Sequence, residues 1–519
     1  MKMKVYIYIF MFAVITALMS CSDDFLDKRS RTQIAESNFW QTEADARLGI
    51  NGVYEVLQRR YLYSGQLNGK AGLPVYDNFT DNSYNQWEWE GPGKYVEGAL
   101  DPSELLFEYL WSDNYAGIAR ANQAIANIVN MTEDQIEVTE REALLAQAYF
   151  LRALFYFNLA VFYEDVPLIT TPQILEEAYV PKNSFAEIIT QVINDLEYAR
   201  SNLPVNHPDE LYGYATKGSA LGLLSRVYLY DGQYDKVAVT TAEMATLGYE
   251  LYPDYGTLFT QASEKSKEIV FSVHFLHGAD HSDGELFSGL YLNTPKVDVR
   301  PLPNVVNDFY CIDGLPIDQS LMYDPQNKKN NRDPRLIASV YFKGDVYHLD
   351  PERIYDGGGP TKFGLKKYAR NATSPEGFTV SQPGSQDFYV IRYADVLLMR
   401  AEALIETNTL TQEVYDLINA VRIRAGMPKV EEVEGTGLSQ EQLRQVVRHE
   451  RRVELAFEGL RFTDLKRWGE MEAAYQRMTD DPVVGLDPLY QGRKSETFPV
   501  PLSELDANKN LTQHSAWSN

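Results

Sequence analysis

The chain has 519 residues, 44% of them hydrophobic, and 48 Lys+Arg against 73 Asp+Glu give a formal net charge of −25. That apolar content supports a large core and excludes global disorder. The acidic balance argues against nucleic acid and against attraction to an anionic membrane surface. Two cysteines, Cys21 and Cys311, exclude a disulfide framework or a multi-Cys zinc site, and seven His limit His-based chemistry. With 35 Tyr exceeding 23 Phe, the composition points to aromatic surface that also meets water or polar ligands.

Residues 1–20 read as a targeting segment. Two lysines precede a nearly all-apolar run, Val5 to Leu18, too short and too differently flanked for a membrane span. The run ends in Leu18-Met19-Ser20-Cys21, which resembles a bacterial lipobox, so Cys21 is expected to carry lipid and become the new N-terminus. The alternative is an ordinary secretory signal with an incidental Cys. No second apolar stretch approaching roughly 20 residues is expected. Multiple acyl chains on one Cys anchor far more firmly than a single chain.

Helices are expected over Ser37–Arg60, over Ser103–Asn130 with Ser103 as N-cap, over Thr139–Phe162 and over Ser184–Asn202. Residues 61–102 lose the helical period and read as a long loop. Helix–turn–helix units are expected at Ala215–Leu247, broken at Asp231-Gly232, and at Ile391–Gly426. Units of this kind resemble tetratricopeptide repeats, which bury their faces by stacking. Residues 250–390 hold short β-prone runs, Ile269–His274 and Leu336–Tyr341, in a loop-rich lobe. The tail from Met471 reads as irregular. The expected class is mainly α: a helical-pair scaffold with a loop-rich lobe containing a few short strands, in one compact body.

The C-terminal third carries recognisable blocks: Ile391–Ala403; His449-Glu450-Arg451-Arg452-Val453-Glu454-Leu455-Ala456-Phe457-Glu458-Gly459 with Arg461–Gly469; and Phe498-Pro499-Val500-Pro501 with Glu504–Asn508. Asp23–Asp27, Tyr115–Asn122, Ala146–Phe157, Phe309–Gly314 and Asp333–Leu336 agree in order. Together these resemble the SusD/RagB family of Bacteroidota outer-membrane lipoproteins. The resemblance implies about four tetratricopeptide-like pairs supporting a variable loop-rich face. It implies a SusD-like helical part over 21–249 and a RagB/SusD part over 250–519. It implies glycan binding, or peptide binding as in RagB-type members, and a place as lid on a TonB-dependent SusC-type porin. Ser22-Asp23-Asp24 after the Cys resembles a surface-export signal, so the expected location is the extracellular face of the outer membrane.

Trp87 and Trp89 stand out among the six tryptophans. They lie in a polar loop, Tyr84-Asn85-Gln86-Trp87-Glu88-Trp89-Glu90. Residues two apart in an extended segment share a face roughly 6–7 Å apart, about one sugar unit. Flat rings meet the C–H face of a pyranose, and amides and carboxylates hydrogen-bond its hydroxyls. The candidate ligand residues are therefore Trp87 and Trp89 with Tyr84, Asn85, Asp81 and Asn82. Tyr291 and Asn293 form a second group. The alternative is that the rings anchor the loop to the scaffold. Trp40, Trp111 and Trp468 lie in helical blocks and read as core.

Glu450 and Glu454 share a helix face and invite a glycosidase reading. Their stripe is apolar and arginine-rich around them, so a structural Glu–Arg network is the preferred reading. His274, His277 and His281 with Asp280 and Asp283 match no established zinc pattern and read as a solvated loop. Cys311 reads as a buried small hydrophobe. No phosphate loop or nucleophile elbow occurs. The expected protein is a non-catalytic glycan-binding lipoprotein without cofactor or metal; the alternatives are a peptide-binding relative and a secreted hydrolase.

Overall fold

The computed structural model describes residues 39–65, 72–85, 87, 95–276, 284–289, 298–348, 352–370 and 383–518. Cys21, Trp89, Tyr291, Asn293, His277, Asp280, His281 and Asp283 lie outside them.

Long helices form the scaffold. They are α1 (Glu43–Leu57), α2 (Leu105–Ile128), α3 (Val138–Tyr163), α4 (Phe185–Asn202), α5 (Lys217–Tyr230) and α6 (Tyr234–Met244). After the lobe follow α7 (Tyr393–Glu406), α8 (Gln412–Arg424), α9 (Gln440–Leu455), α10 (Arg461–Trp468) and α11 (Met471–Asp480). Side-chain caps fix several starts. Thr42, Ser184, Thr216 and Ser439 each cap a helix and are answered three residues later by Asp45, Glu187, Ser219 and Gln442. From α1 to α6 each helix packs on the next, α6 packs on α7, and α7 packs on α8 and α9. The helical-pair stack thus continues across about 150 intervening residues of lobe.

One ladder closes the base of the lobe where it meets this stack. Strand β2 (Ile269–Val273) pairs antiparallel with β6 (Phe388–Arg392), and β6 runs directly into α7. Two smaller ladders pair β1 (Ser83–Asn85) with β3 (Val299–Pro301) and β4 (Val340–Tyr341) with β5 (Gly364–Leu365). One large apolar core runs through α1–α5 and the lobe, and a second lies among α7, α8 and α9.

Four local expectations change. The helix expected from Ser103 begins at Leu105 without a side-chain cap, because Ser103 is drawn into a turn by Asp101, whose Oδ1 accepts its N–H at 2.8 Å. The run Leu336–Tyr341 is mostly helix, Pro334–Ser339. Asp333 caps it and Pro334 sits in its first turn, which leaves only Val340–Tyr341 extended. The tail contains α11, whose Met471, Ala474, Tyr475 and Met478 are buried at helical spacing. Finally, α3 is long and apolar enough to cross a membrane, but it is buried inside the protein as a core helix.

Trp111 is buried as expected, and Cys311 is fully buried. Trp40 and Trp468 are half-buried. The Trp40 ring covers Gly49 of α1, where a Cβ would come within 2.2 Å of it. Trp468 donates its indole N–H to Glu402 at 2.8 Å beneath two arginines.

Candidate functional site

The β1–β3 ladder pairs the segment just before Trp87 with the segment that follows residues 291–293 in the chain. Its pairs are Ser83↔Pro301, Tyr84↔Arg300 and Asn85↔Val299. The chain leaves the ladder at Asn85 toward Trp87, and enters it at Val299 from the segment that holds Tyr291 and Asn293. Antiparallel pairing therefore opposes the stem of the tryptophan loop to the stem of the second group. Asn85 turns the chain there: its Oδ1 accepts the Trp87 N–H at 2.8 Å. Trp87 is 36% exposed.

Beneath the ladder the surface ends abruptly. Tyr84 is buried, its hydroxyl has no hydrogen-bond partner among the described residues, and burial pushes its pKa up to about 12. Opposite it, Arg300 is buried and donates Nη1 to the Tyr355 hydroxyl at 2.9 Å and to the Phe363 carbonyl at 3.2 Å. Gly359, at φ +78°, lies so close that a Cβ there would meet Arg300 Cζ at 2.8 Å.

Asp81 and Asn82, expected to face ligand, are interior. Asp81 is fully buried among three guanidinium groups: Arg461 at 2.9 Å, Arg452 at 3.0 Å and Arg477 at 2.7 Å. Burial by itself would raise its pKa; the three arginines hold it far below the usual carboxylate range. Asn82 donates to Asp77 at 2.9 Å and accepts from Arg452 at 3.1 Å. Asp77 also takes the Phe457 N–H at 2.6 Å, which helps hold Phe457 at φ +66° just past α9. Two residues on, Gly459 meets the Leu73 carbonyl so closely that a Cβ would sit 2.3 Å from it. These contacts bolt segment 73–82 to the end of α9 and the start of α10. Asp81 and Asn82 fasten the ladder to the scaffold, out of reach of a ligand on the surface.

The glutamates of α9 lie in a buried charge network. Glu450 pairs with Arg335 at 2.6 Å. Glu454 pairs with Arg335 at 3.0 Å, with Arg392 at 2.6 Å and with Arg424. Arg392 reaches on to Glu458 and Glu268, and Lys367 to Glu458. Burial would raise the Glu454 pKa, but its three arginines keep it well below the ordinary range. Neither carboxylate opens to solvent, so the paired acids of this helix are scaffold, as the sequence implied.

Sequence reasoning missed a groove beside the loop 204–216. Two adjoining cavities of about 460 and 440 Å³ share Tyr212, Gly213, Tyr214, Ser272 and His274. Tyr212 is exposed, with Lys265 over its ring and His274 against its edge. The signal was present: two tyrosines around a glycine, after the helix-stopping Leu203-Pro204. His274 lies 2.7 Å from Asp387. Among the described residues no group of three His, Cys, Asp or Glu is placed to hold a metal.

Comparison with known proteins agrees with this architecture. A family model described as the SusD family matches residues 267–517, and one described as starch-binding associating with outer membrane matches residues 24–229. A SusD-like protein of Formosa agariphila is 26% identical over an alignment of 551 positions, covering 99% of each chain. A SusD-like carbohydrate-binding protein from Bacteroides fragilis superposes with a TM-score of 0.79 at 27% identity, over 91% of this chain and 100% of that one. A laminarin-binding SusD-like protein superposes with a TM-score of 0.73 at 25% identity, over 92% and 99%. With matching models over both halves and relatives of matching length, this chain belongs to the SusD/RagB family.

Proposed function

We propose that the protein is a non-catalytic, cell-surface glycan-binding lipoprotein. It captures oligosaccharides on the face around Trp87 and Trp89 and delivers them to a TonB-dependent SusC-type porin. The observation that carries this reading is the β1–β3 ladder, which opposes the stems of the two aromatic groups and leaves Trp87 exposed. Trp89, Tyr291 and Asn293 complete the proposed platform, with Tyr84 and Asn85 at its base. Two similar structures, one of a SusD-like carbohydrate-binding protein and one of a laminarin-binding SusD-like protein, support a glycan as ligand class. The burial of Glu450 and Glu454 in arginine pairs supports the non-catalytic part.

Lipid on Cys21 places the protein at the outer membrane in this reading, in keeping with the description of the family model that matches residues 24–229. Cys21→Ala should release it from membranes. An open site that must release its cargo should bind in the micromolar to millimolar range, about −8 to −4 kcal/mol. The test is calorimetry over a panel of glycans and peptides, with the Trp87→Ala, Trp89→Ala double variant as control. Glycan binding that the double variant retains in full, or binding of peptides alone, would move the site or change the ligand class. Recovery as a lone monomer from gently solubilised membranes would remove the porin partner.

A further inference from the structure

A separate cavity, of about 430 Å³, lies where α8, α9 and α11 approach the short helix Pro303–Asp308. Its wall carries more guanidinium N–H groups than acceptors to receive them. Arg422 is 3% exposed; its Nε donates to the Pro428 carbonyl at 2.8 Å, and neither terminal nitrogen has an acceptor or a carboxylate partner among the described residues. Arg448 Nε and Arg477 Nη2 also have no acceptor among the described residues, but both atoms are buried away from the open space. Arg422 thus lines the cavity with charged donors that no acceptor takes up among the described residues, and the group that matches such donors is an oxyanion.

The acids at the cavity do not fill that role. Asp308 is taken by Arg452, Glu441 by Arg444 and Gln445, and Glu470 by Arg448. Glu434 is exposed at the rim, with no ion pair to Arg422. Tyr310, which also lines the cavity, stacks on His449 with ring centroids 3.8 Å apart, and His449 Nε2 is bound at 2.8 Å to the Asp308 carbonyl. The Tyr310 hydroxyl has no hydrogen-bond partner among the described residues. The cavity is far larger than a bare ion and falls in the range of small-molecule sites.

We propose that this cavity binds a saccharide bearing a carboxylate or sulfate group. Arg422 receives the anion and Tyr310 supplies a flat face and a hydroxyl for the ring. The saccharide class rests on the glycan reading above; the unsatisfied guanidinium donors do not. This is a separate site from the tryptophan platform, since none of its residues belongs to the ladder.

The test is calorimetric titration of the full chain in mild detergent with sodium glucuronate, glucose 6-sulfate, glucose and sodium sulfate. At least one charged sugar should bind more tightly than inorganic sulfate, and glucose should not bind. Arg422→Gln should weaken that binding by roughly tenfold or more, the effect of losing a charge-assisted donor. Glu434→Gln, at an exposed position that leaves folding untouched, should strengthen it by about threefold through removal of a like charge. The Trp87→Ala, Trp89→Ala variant should leave it unchanged, which separates this site from the platform. No binding of either charged sugar, inorganic sulfate binding as well as both, or affinities indifferent to both Arg422→Gln and Glu434→Gln would each overturn the proposal.

Discussion

Segment 77–87 obeys opposite rules at its two ends. From Asp77 to Asn82 the polar side chains are buried, and Asp81 alone gathers three arginines from α9, α10 and α11. Five residues beyond Asn82, Trp87 is exposed to solvent. The first end converts charge into rigidity; the second keeps aromatic surface that the core could have absorbed. Stability and the proposed ligand contact thus lie within about ten residues of one chain segment, and substitutions should separate with them.

The largest expected effect lies deepest. Glu454→Gln removes the charge that Arg335, Arg392 and Arg424 share, leaving buried cations short of a partner. Breaking a buried pair from one side costs about 3–5 kcal/mol. Chemical denaturation should show a loss of that order, without selective loss of any binding function in the molecules that remain folded. A variant as stable as the parent would mean the network is dispensable.

Asp81→Asn should come next, at about 3 kcal/mol, and it should also weaken glycan binding because the ladder stem is fastened through it. Affinity unchanged in a destabilised protein would show that the ladder holds its geometry without this bolt.

Acid should reproduce part of both effects. The folded-state pKa values of Asp81 and Glu454 lie far below the usual range, and that of Asp395 is lowered to about 2 against the burial that would raise it, by Arg226 and Arg451. A depressed folded pKa gives stability that is present above the unfolded value near 4 and is lost as pH falls toward the folded value. The melting temperature should therefore be sustained above about pH 5 and fall steeply below about pH 4. Asp77 and Asp195 are shifted upward, chiefly by burial, and act in the opposite sense. A melting temperature flat to pH 2.5 would show that these pairs contribute little.

The same contrast explains what the sequence could and could not tell. The scaffold was legible because helical spacing, caps such as Ser184 and breaks such as Asp231-Gly232 are local signals. The α9 charge network was legible because acids and arginines recur on a stripe with Leu443, Val446 and Val447. Trp87 was legible as a tryptophan in a polar loop. Asp81 and Asn82 were misplaced because their partners Arg452, Arg461 and Arg477 lie some 370–396 positions away. No local pattern says that a polar loop residue will be buried by arginines from the far end of the chain. For the same reason the β1–β3 ladder, which opposes the stems of the two aromatic groups, could not be read from either group alone.

On the exposed side, Trp87→Ala with Trp89→Ala should weaken glycan binding by at least about tenfold while changing stability by less than about 1 kcal/mol, since Trp87 is exposed. Unfolding of the double variant would return these rings to the anchoring role.

The smallest expected effect falls at the boundary between the two regimes. Tyr84 was expected to touch ligand, yet it is buried and its hydroxyl has no hydrogen-bond partner among the described residues. A buried hydroxyl without a partner costs free energy, so Tyr84→Phe removes a penalty while keeping the ring's packing against the ladder. The variant should be neutral or more stable by up to about 1 kcal/mol, with glycan affinity unchanged. A loss of affinity without loss of stability would give the opposite result: the hydroxyl's missing partner is the ligand itself, and the platform extends inward past Asn85.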